Sequence, residues 1–421
     1  MTSAASREFP DFASLAGSSM FIPILLAVAS ITFHTNFEAG NIGKVEQVAP
    51  AHFRCAVQGE ADQDKRNRQA SWYYFRLDGG RGKQVTIDLV DLVGEYNYKA
   101  GTHPVSGKTR PVYSEDQKTW KHFTDENMEW DERAMSLRLR FTPRADRIWI
   151  AHVPPYTNRD LQRLLAEFSR SPWLKREVVG KTVGGRDMLL LTVTNPRVAE
   201  EKKRVIWLMA RQHAWESPTS WVAEGALRFL LSSEAAATRI RDTAIFKIFP
   251  MADPDGAARG GVRFNANGYD LNRNWDAVDP KLMPEIAAQH KAIFDWLDSG
   301  RRIDFFLTLH NTESGEFIEG PLRANPEIGT RIGRLFKILS ETTTFAPTTQ
   351  PRDSAVSSMP GKPGRMSVNQ ALFHDRGIAA MLMEQMVEYN RKLERLPTVA
   401  DRLEFGAGLA RALWQAAAGG E

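Results

Sequence analysis

The feature that most constrains this chain is a set of short, mostly apolar runs, each leading to an imidazole or carboxylate side chain. Val205-Ile-Trp-Leu-Met-Ala210 leads into Arg211-Gln-His-Ala-Trp-Glu216. Ile303-Asp-Phe-Phe-Leu-Thr-Leu309 leads to His310, and Ile378-Ala-Ala-Met-Leu-Met383 leads to Glu384. Runs of this length without alternation read as strands buried on both faces, the pattern of a parallel sheet covered by helices. The segments between them carry helical periodicity. Leu161, Leu164, Leu165 and Phe168 mark one amphipathic helix, and residues 285–298, 327–339 and 398–415 read as others. Strands alternating with helices from Tyr156 onward predict an α/β domain over 156–421.

Upstream the period changes to two. Ser136-Leu-Arg-Leu-Arg-Phe141 alternates cleanly, as do Arg147-Ile-Trp-Ile150 and Val85-Thr-Ile-Asp-Leu-Val90, with turn residues such as Asp78-Gly-Gly-Arg-Gly82 between strands. This predicts an antiparallel β-sandwich over 31–155. Pro154-Pro155 punctuates the boundary.

Residues 1–30 read as a leader. Met20-Phe-Ile-Pro-Ile-Leu-Leu-Ala-Val-Ala29 is too short to span a bilayer. Its length suits a signal-peptide core ending near Ala29, at Ala27-Val28-Ala29. That implies a periplasmic or secreted protein. The segment before it is weakly charged, with Arg7 offset by Glu8 and Asp11, and keeps a cytoplasmic location as the alternative.

With 421 residues, 42% hydrophobic and 25% charged, the composition is that of a soluble globular protein with room for a large core. The net charge of +4, with acids and bases interspersed, argues against a nucleic-acid partner. Lys203-Arg204 reads as the solvated end of a strand. Cys55 is the single cysteine, so no intramolecular disulfide forms, and it reads as a small buried residue.

The chemistry-bearing residues imply a metal. Catalytic zinc takes three protein ligands and leaves a position for water. His213 and Glu216, three apart, reach one ion if the first follows a strand and the second opens a helix, and Ser217-Pro218 looks like a helix start. A His-x-x-Glu pair is weak alone. His122 has Asp125 at the same spacing in what reads as a surface loop. His310, at a second strand end, adds a third ligand, since open α/β sheets bind ligands beyond the carboxyl ends of their strands. Glu384 would take a proton from the attacking water and pass it to the leaving amine. Its ordinary reading is an exposed Glu, as Glu388 nearby is taken to be. Arg263 and Arg273 offer planar, two-pronged donors suited to a carboxylate or an oxyanion, and the amide of Asn272 suits the same tasks. The alternative for Asp270-Leu-Asn-Arg-Asn-Trp275 is a polar turn.

Taken together, these residues resemble the zinc carboxypeptidase family, within its cytosolic carboxypeptidase-like branch. The resemblance makes His213, Glu216 and His310 the zinc ligands and Glu384 the general base. It makes Arg263 the group that polarises the scissile carbonyl, and Asn272 and Arg273 the pair that binds the terminal carboxylate. Asp253-Pro-Asp-Gly256 is similar to the family's Asn-Pro-Asp-Gly turn, with Asp first. Phe37-Glu-Ala-Gly-Asn-Ile-Gly-Lys-Val45, Trp72-Tyr-Tyr-Phe-Arg76 and Val153-Pro-Pro-Tyr-Thr157 resemble the β domain that precedes the catalytic domain in that branch. The resemblance implies a mixed-sheet α/β/α catalytic domain, one Zn2+ per chain, and hydrolysis of the last peptide bond of peptides or proteins. Two other readings stay open: a zinc deacylase of N-acyl amino acids, and a catalytically silent zinc- or peptide-binding protein. The pancreatic-type members use a Tyr on a mobile loop, and no Tyr lies between Tyr269 and Tyr389 here. Some relatives in the branch remove glutamate. Arg365, Lys362 and Arg376 are the candidate cations for such a preference by position only, and each reads first as a surface charge. Thr342–Gly364 is the candidate mobile loop.

Overall fold

In the computed structural model, which describes residue 1 and residues 30–102, 104–354 and 361–418, the apolar runs lie at the middle of one sheet. Its strands are β1 (Leu174–Lys181), β2 (Asp187–Val193), β3 (Arg204–Ala210), β4 (Ala244–Phe249), β5 (Phe305–Thr312), β6 (Phe317–Gly320), β7 (Arg352–Asp353) and β8 (Ala380–Met386). Their spatial order is β1-β2-β4-β3-β5-β8-β6-β7. The central four, β4, β3, β5 and β8, run parallel. The β1–β2 hairpin and β6 add antiparallel pairings on either side, so the sheet is mixed. His310 and Glu384 are expected at the ends of their strands. They lie inside them instead, because β5 and β8 keep pairing for two more residues, and His310 is directly opposite Glu384.

The helices are α1 (Asn158–Glu167), α2 (Ser217–Leu230), α3 (Ala235–Thr243), α4 (Pro254–Arg259), α5 (Pro284–Asp298), α6 (Pro326–Thr342), α7 (Val368–Arg376) and α8 (Val399–Ala418). Side chains alternate across each central strand, so both faces need cover. Ile206, Leu208 and Ala210 of β3 join the core under α2, α3, α6 and α8, while Val205, Trp207 and Met209 join the core under α5 and α7.

Before this sheet, two five-stranded sheets enclose a core that includes Phe53, Tyr73, Phe75, Ile87, Leu139 and Ile150. Their pairings are antiparallel except that His52–Ala56 runs parallel to Val85–Val90. Cys55 is buried in this core, and burial pushes its thiol up to about 12. A small third sheet, built from Glu60–Ala61, Arg68–Gln69, Gly94–Tyr96 and Lys99–Thr102, has no period-two signature and was not expected. The described residues from Ile31 onward pack as one unit. A fourth apolar cluster joins Trp72, Tyr74 and Val153 to Trp215 and Val262 of the α/β part.

Several local expectations change in the folded chain. Lys203 is buried rather than solvated, and its Nζ donates to Thr194 Oγ1 at 2.8 Å and to the Asn195 carbonyl. His122 lies on the strand Lys121–His122, its two ring nitrogens each 3.2 Å from the carbonyls of Arg110 and Pro397. Glu388 is buried, with Thr109 Oγ1 donating to it at 3.5 Å. The Thr342–Gly364 segment starts at the end of α6 and includes β7, and its residues 355–360 fall outside those described. The leader expected over 1–30, with its cleavage site, also falls outside them, apart from Met1 and Ser30. Among the described residues no helix is long and apolar enough to cross a membrane.

Candidate active site

The site forms where the central strands run out. After β3, Arg211 adopts a left-handed backbone with φ 65° and turns the chain across the sheet end. Such a conformation is uncommon for a residue with a Cβ. It is held by the buried guanidinium, whose Nε donates to Ala214 O at 2.6 Å and Nη1 to Tyr156 O at 3.1 Å. This brings His213 into the cleft and sets Glu216 as the residue that opens α2, with proline in the first turn.

Three donor groups then converge. His213 Nδ1 lies 2.8 Å from Glu216 Oε1, and His310 Nδ1 lies 3.0 Å from Glu216 Oε2. The two Nδ1 atoms are 3.3 Å apart. The outer ring nitrogens meet acceptors. His213 Nε2 is 3.1 Å from Asp270 Oδ1, and His310 Nε2 is 3.2 Å from Gln212 Oε1. Protons on Nε2 satisfy those acceptors and leave both Nδ1 lone pairs aimed at the shared space, as metal-ligating histidines require. All three side chains are buried, and their donor atoms lie within 4.8 Å of one another. Glu216 Oε2 has no hydrogen-bond donor. Two imidazoles and one carboxylate with an unsatisfied oxygen form a donor set that fits zinc.

Asp270 couples this group to Arg263. While Oδ1 faces His213, Oδ2 accepts from Arg263 Nε at 2.9 Å and pairs with Nη2 at 2.8 Å. Burial opposes the charge of Asp270, but Arg263 and His213 hold its carboxyl well below the usual range. Neither Asp270 nor Gln212 was singled out from sequence as a support for the histidines. The only signal was their adjacency to residues that were.

Asn272 Nδ2 lies 3.2 Å from His310 Nε2, and its Oδ1 accepts from Val368 N at 3.1 Å. Arg273 Nη1 donates to Asn272 O at 2.7 Å. Arg263, Asn272, Arg273 and Glu384 line one cleft of about 600 Å³ together with His213, Glu216 and His310. All seven residues expected from sequence therefore share one space. Burial, then the charge of Glu216, pushes the Glu384 carboxyl well above its ordinary value, and Arg263 pulls it back.

Gln69, Ser71 and Pro104 of the β domain line the same cleft. So does Arg365, half-buried and with no partner at Nε, which corrects its reading as a surface charge. Lys362 is exposed, and Arg376 pairs with Asp298 at 2.8 Å. No tyrosine is among the described residues lining the cleft. In the Asp253–Gly256 turn, Asp253 Oδ1 accepts from Gly256 N at 2.8 Å. A Cβ on Gly256 would fall 2.1 Å from Asp253 Oδ2 and 2.8 Å from Ala214 Cβ, so only glycine lets the turn back onto the His213 loop.

Residues 161–318 match the family model described as zinc carboxypeptidase, and residues 33–153 match that of the cytosolic carboxypeptidase N-terminal domain. Mouse cytosolic carboxypeptidase 3 is 30% identical over 280 residues, covering 61% of this chain and 27% of that protein. An uncharacterized protein of Zymomonas mobilis is 29% identical over 286 residues and covers 68% of each chain. This chain thus spans about a quarter of the first relative and about two thirds of the second. The crystal structure of a metallo-carboxypeptidase from Burkholderia cenocepacia has the same fold, with a TM-score of 0.79 at 24% identity over 92% of this chain and 99% of that one. With both matched regions present in order around this site, the chain belongs to the zinc carboxypeptidase family, in its cytosolic carboxypeptidase-like branch.

Proposed function

We propose that this chain is a metallocarboxypeptidase that releases the last residue of a peptide or protein, with one zinc ion held by His213, Glu216 and His310. The observation that carries this reading is the convergence of those three donors with Arg263, Asn272, Arg273 and Glu384 in one cleft. In this reading the chain divides into a β domain over 31–155 and a catalytic domain over 156–421.

Asn272 and Arg273 hold the terminal carboxylate through the amide and a two-pronged guanidinium. That fixes the last peptide bond at the histidine pair, so binding energy becomes orientation. Zinc at those ligands would polarise the carbonyl and make water acidic enough for a carboxylate to deprotonate. Glu384 takes the proton from the attacking water and returns it to the departing amine. Arg263 engages Asp270 through Nε and Nη2, which leaves Nη1 to donate to the oxygen on which negative charge develops. Asp270 holds His213 in the tautomer with Nδ1 bare.

Arg365 supports a preference for an acidic last residue, because it lines the cleft together with Arg273 and its Nε has no partner. The names of the relatives favour the cytoplasmic location over the exported one. The test is C-terminal release from a peptide library by zinc-loaded protein, varying the last residue, with a chelator arm. Chelator-sensitive loss of one residue, fastest for Glu or Asp, is expected. Activity on N-acyl amino acids with none on peptides would replace this reading by the deacylase one.

A further inference from the structure

The β domain does more than roof the cleft, because it holds the segment that carries Arg263. Glu60, on the small third sheet, reaches into the α/β part. Its Oε2 accepts from three successive backbone amides, Val262 N at 2.9 Å, Arg263 N at 2.5 Å and Phe264 N at 2.8 Å. Its Oε1 accepts from the Arg259 guanidinium. Consecutive amides aimed at one point form an anion-binding concavity, and here the anion is a side chain of another domain. Two further contacts bracket the segment. Asn41 Nδ2 donates to Gly260 O at 2.7 Å, and Gln63 N donates to Gly268 O at 3.1 Å. Gly260 has φ 68°, and a Cβ there would meet Ala39 O at 2.7 Å, so the close approach depends on glycine.

From Glu60 the contacts continue to the metal donors. The Arg263 backbone is fixed by Glu60, its guanidinium grips Asp270, and Asp270 meets His213 Nε2. We propose that Glu60 is a positioning residue for the reaction: it sets the Arg263 backbone, and through it the donor that meets the developing oxyanion. The accessory β domain thereby completes the catalytic site. This rests on the carboxypeptidase reading for its kinetic consequence and on the amide contacts alone for its structural one.

The experiment is Glu60→Ala and Glu60→Gln in the full chain, with zinc content and circular dichroism as controls. Glutamine offers one acceptor and turns its amide nitrogen toward Arg259 or toward the three amides, so it should also weaken the contact. Glu60→Ala is expected to lower kcat by about tenfold to a hundredfold with KM changed less than about twofold, since the loss is felt where charge develops. In an Arg263→Ala background the same substitution should change kcat by less than about twofold, because its route to the chemistry is already gone. An equal loss in both backgrounds overturns the proposal in favour of a general structural role. Hydrogen exchange of the Val262, Arg263 and Phe264 amides gives a readout independent of turnover. Protection in the parent protein, lost in Glu60→Ala while β3 and β5 stay protected, is expected. Unchanged protection overturns the proposal even if no peptide is ever hydrolysed, and absence of hydrolysis by the parent protein with that selective loss would fault only the carboxypeptidase reading.

Discussion

Burial opposes the charge of both the Glu384 and the Asp253 carboxyl, yet their surroundings give them different tasks. Glu384 faces the metal donors, where a dication would offset the unfavourable charge and return it to a base. Glu384→Gln is expected to reduce kcat by about a thousandfold or more while bound zinc, read by metal analysis, stays stoichiometric. Near-parental activity in that variant would remove Glu384 from the mechanism. Asp253 has only partial compensation, from Arg259 and from Gly256 N. Burial pushes its carboxyl up to about 7 against the opposing pull of Arg259 and the Gly256 amide, with the charges of Glu285 and Glu60 adding to the rise, and its Oδ2 has no partner. Between about pH 4, where the unfolded side chain titrates, and about pH 7, the folded protein keeps a proton that the unfolded chain has lost. Stability therefore falls as pH rises through that window. Asp253→Asn abolishes this linkage, and calorimetry should find Tm raised by roughly 2–4 °C at pH 8 and by less than about 1 °C near pH 4.5. A gain independent of pH would mean that the side-chain shape matters and its charge does not.

At the scale of elements, the crossing of α2 and α8 sets where Glu216 can stand. Gly225 of α2 and Gly406 of α8 face each other's backbones, and a Cβ on either would fall 2.0 Å from Leu403 O or Val222 O, respectively. Glycine inside a helix costs about 1 kcal/mol against alanine, so its use here reflects helix contact rather than propensity. Gly225→Ala is expected to destabilise by about 3 kcal/mol in urea unfolding, because neither backbone can move aside without disturbing the core beneath. A neutral or stabilising effect would show that the two helices slide apart freely. The sheet has a similar logic. Parallel β3 and β5 are neighbours, so His213 in the turn after β3 meets His310 within β5, and β8 sets Glu384 opposite His310 in register.

For the whole molecule, the ligand site brings carboxyls and imidazoles from distant parts of the chain into one space. Glu216 and Glu384 share one cleft with His213 and His310. A metal that binds the folded state and not the unfolded one stabilises by mass action. Stripping with a chelator is expected to lower Tm by roughly 5–10 °C, and stoichiometric zinc should restore it. An unchanged Tm in protein verified to be metal-free would mean that the three donors do not form a resident metal site.

Much of this was determined by the sequence alone. Apolar runs such as Val205–Ala210 can be buried only in a sheet covered on both faces, so the α/β class follows from local pattern. The alternation in Ser136–Phe141 likewise dictates a sandwich with one wet face. The seven chemistry-bearing residues were legible because each belongs to a short motif or to a strand end. The tertiary structure decided what depends on partners distant along the chain. Asp270 became the partner of both His213 and Arg263, Gln212 the partner of His310, and Arg365 a cleft residue, none of which has a local signature. The same holds for Glu388 and for His122, whose polar atoms find partners only after distant segments meet. Glu60 is the extreme case. Its carboxylate answers amides about two hundred residues away, and a backbone amide carries no mark in the sequence of what it will bind.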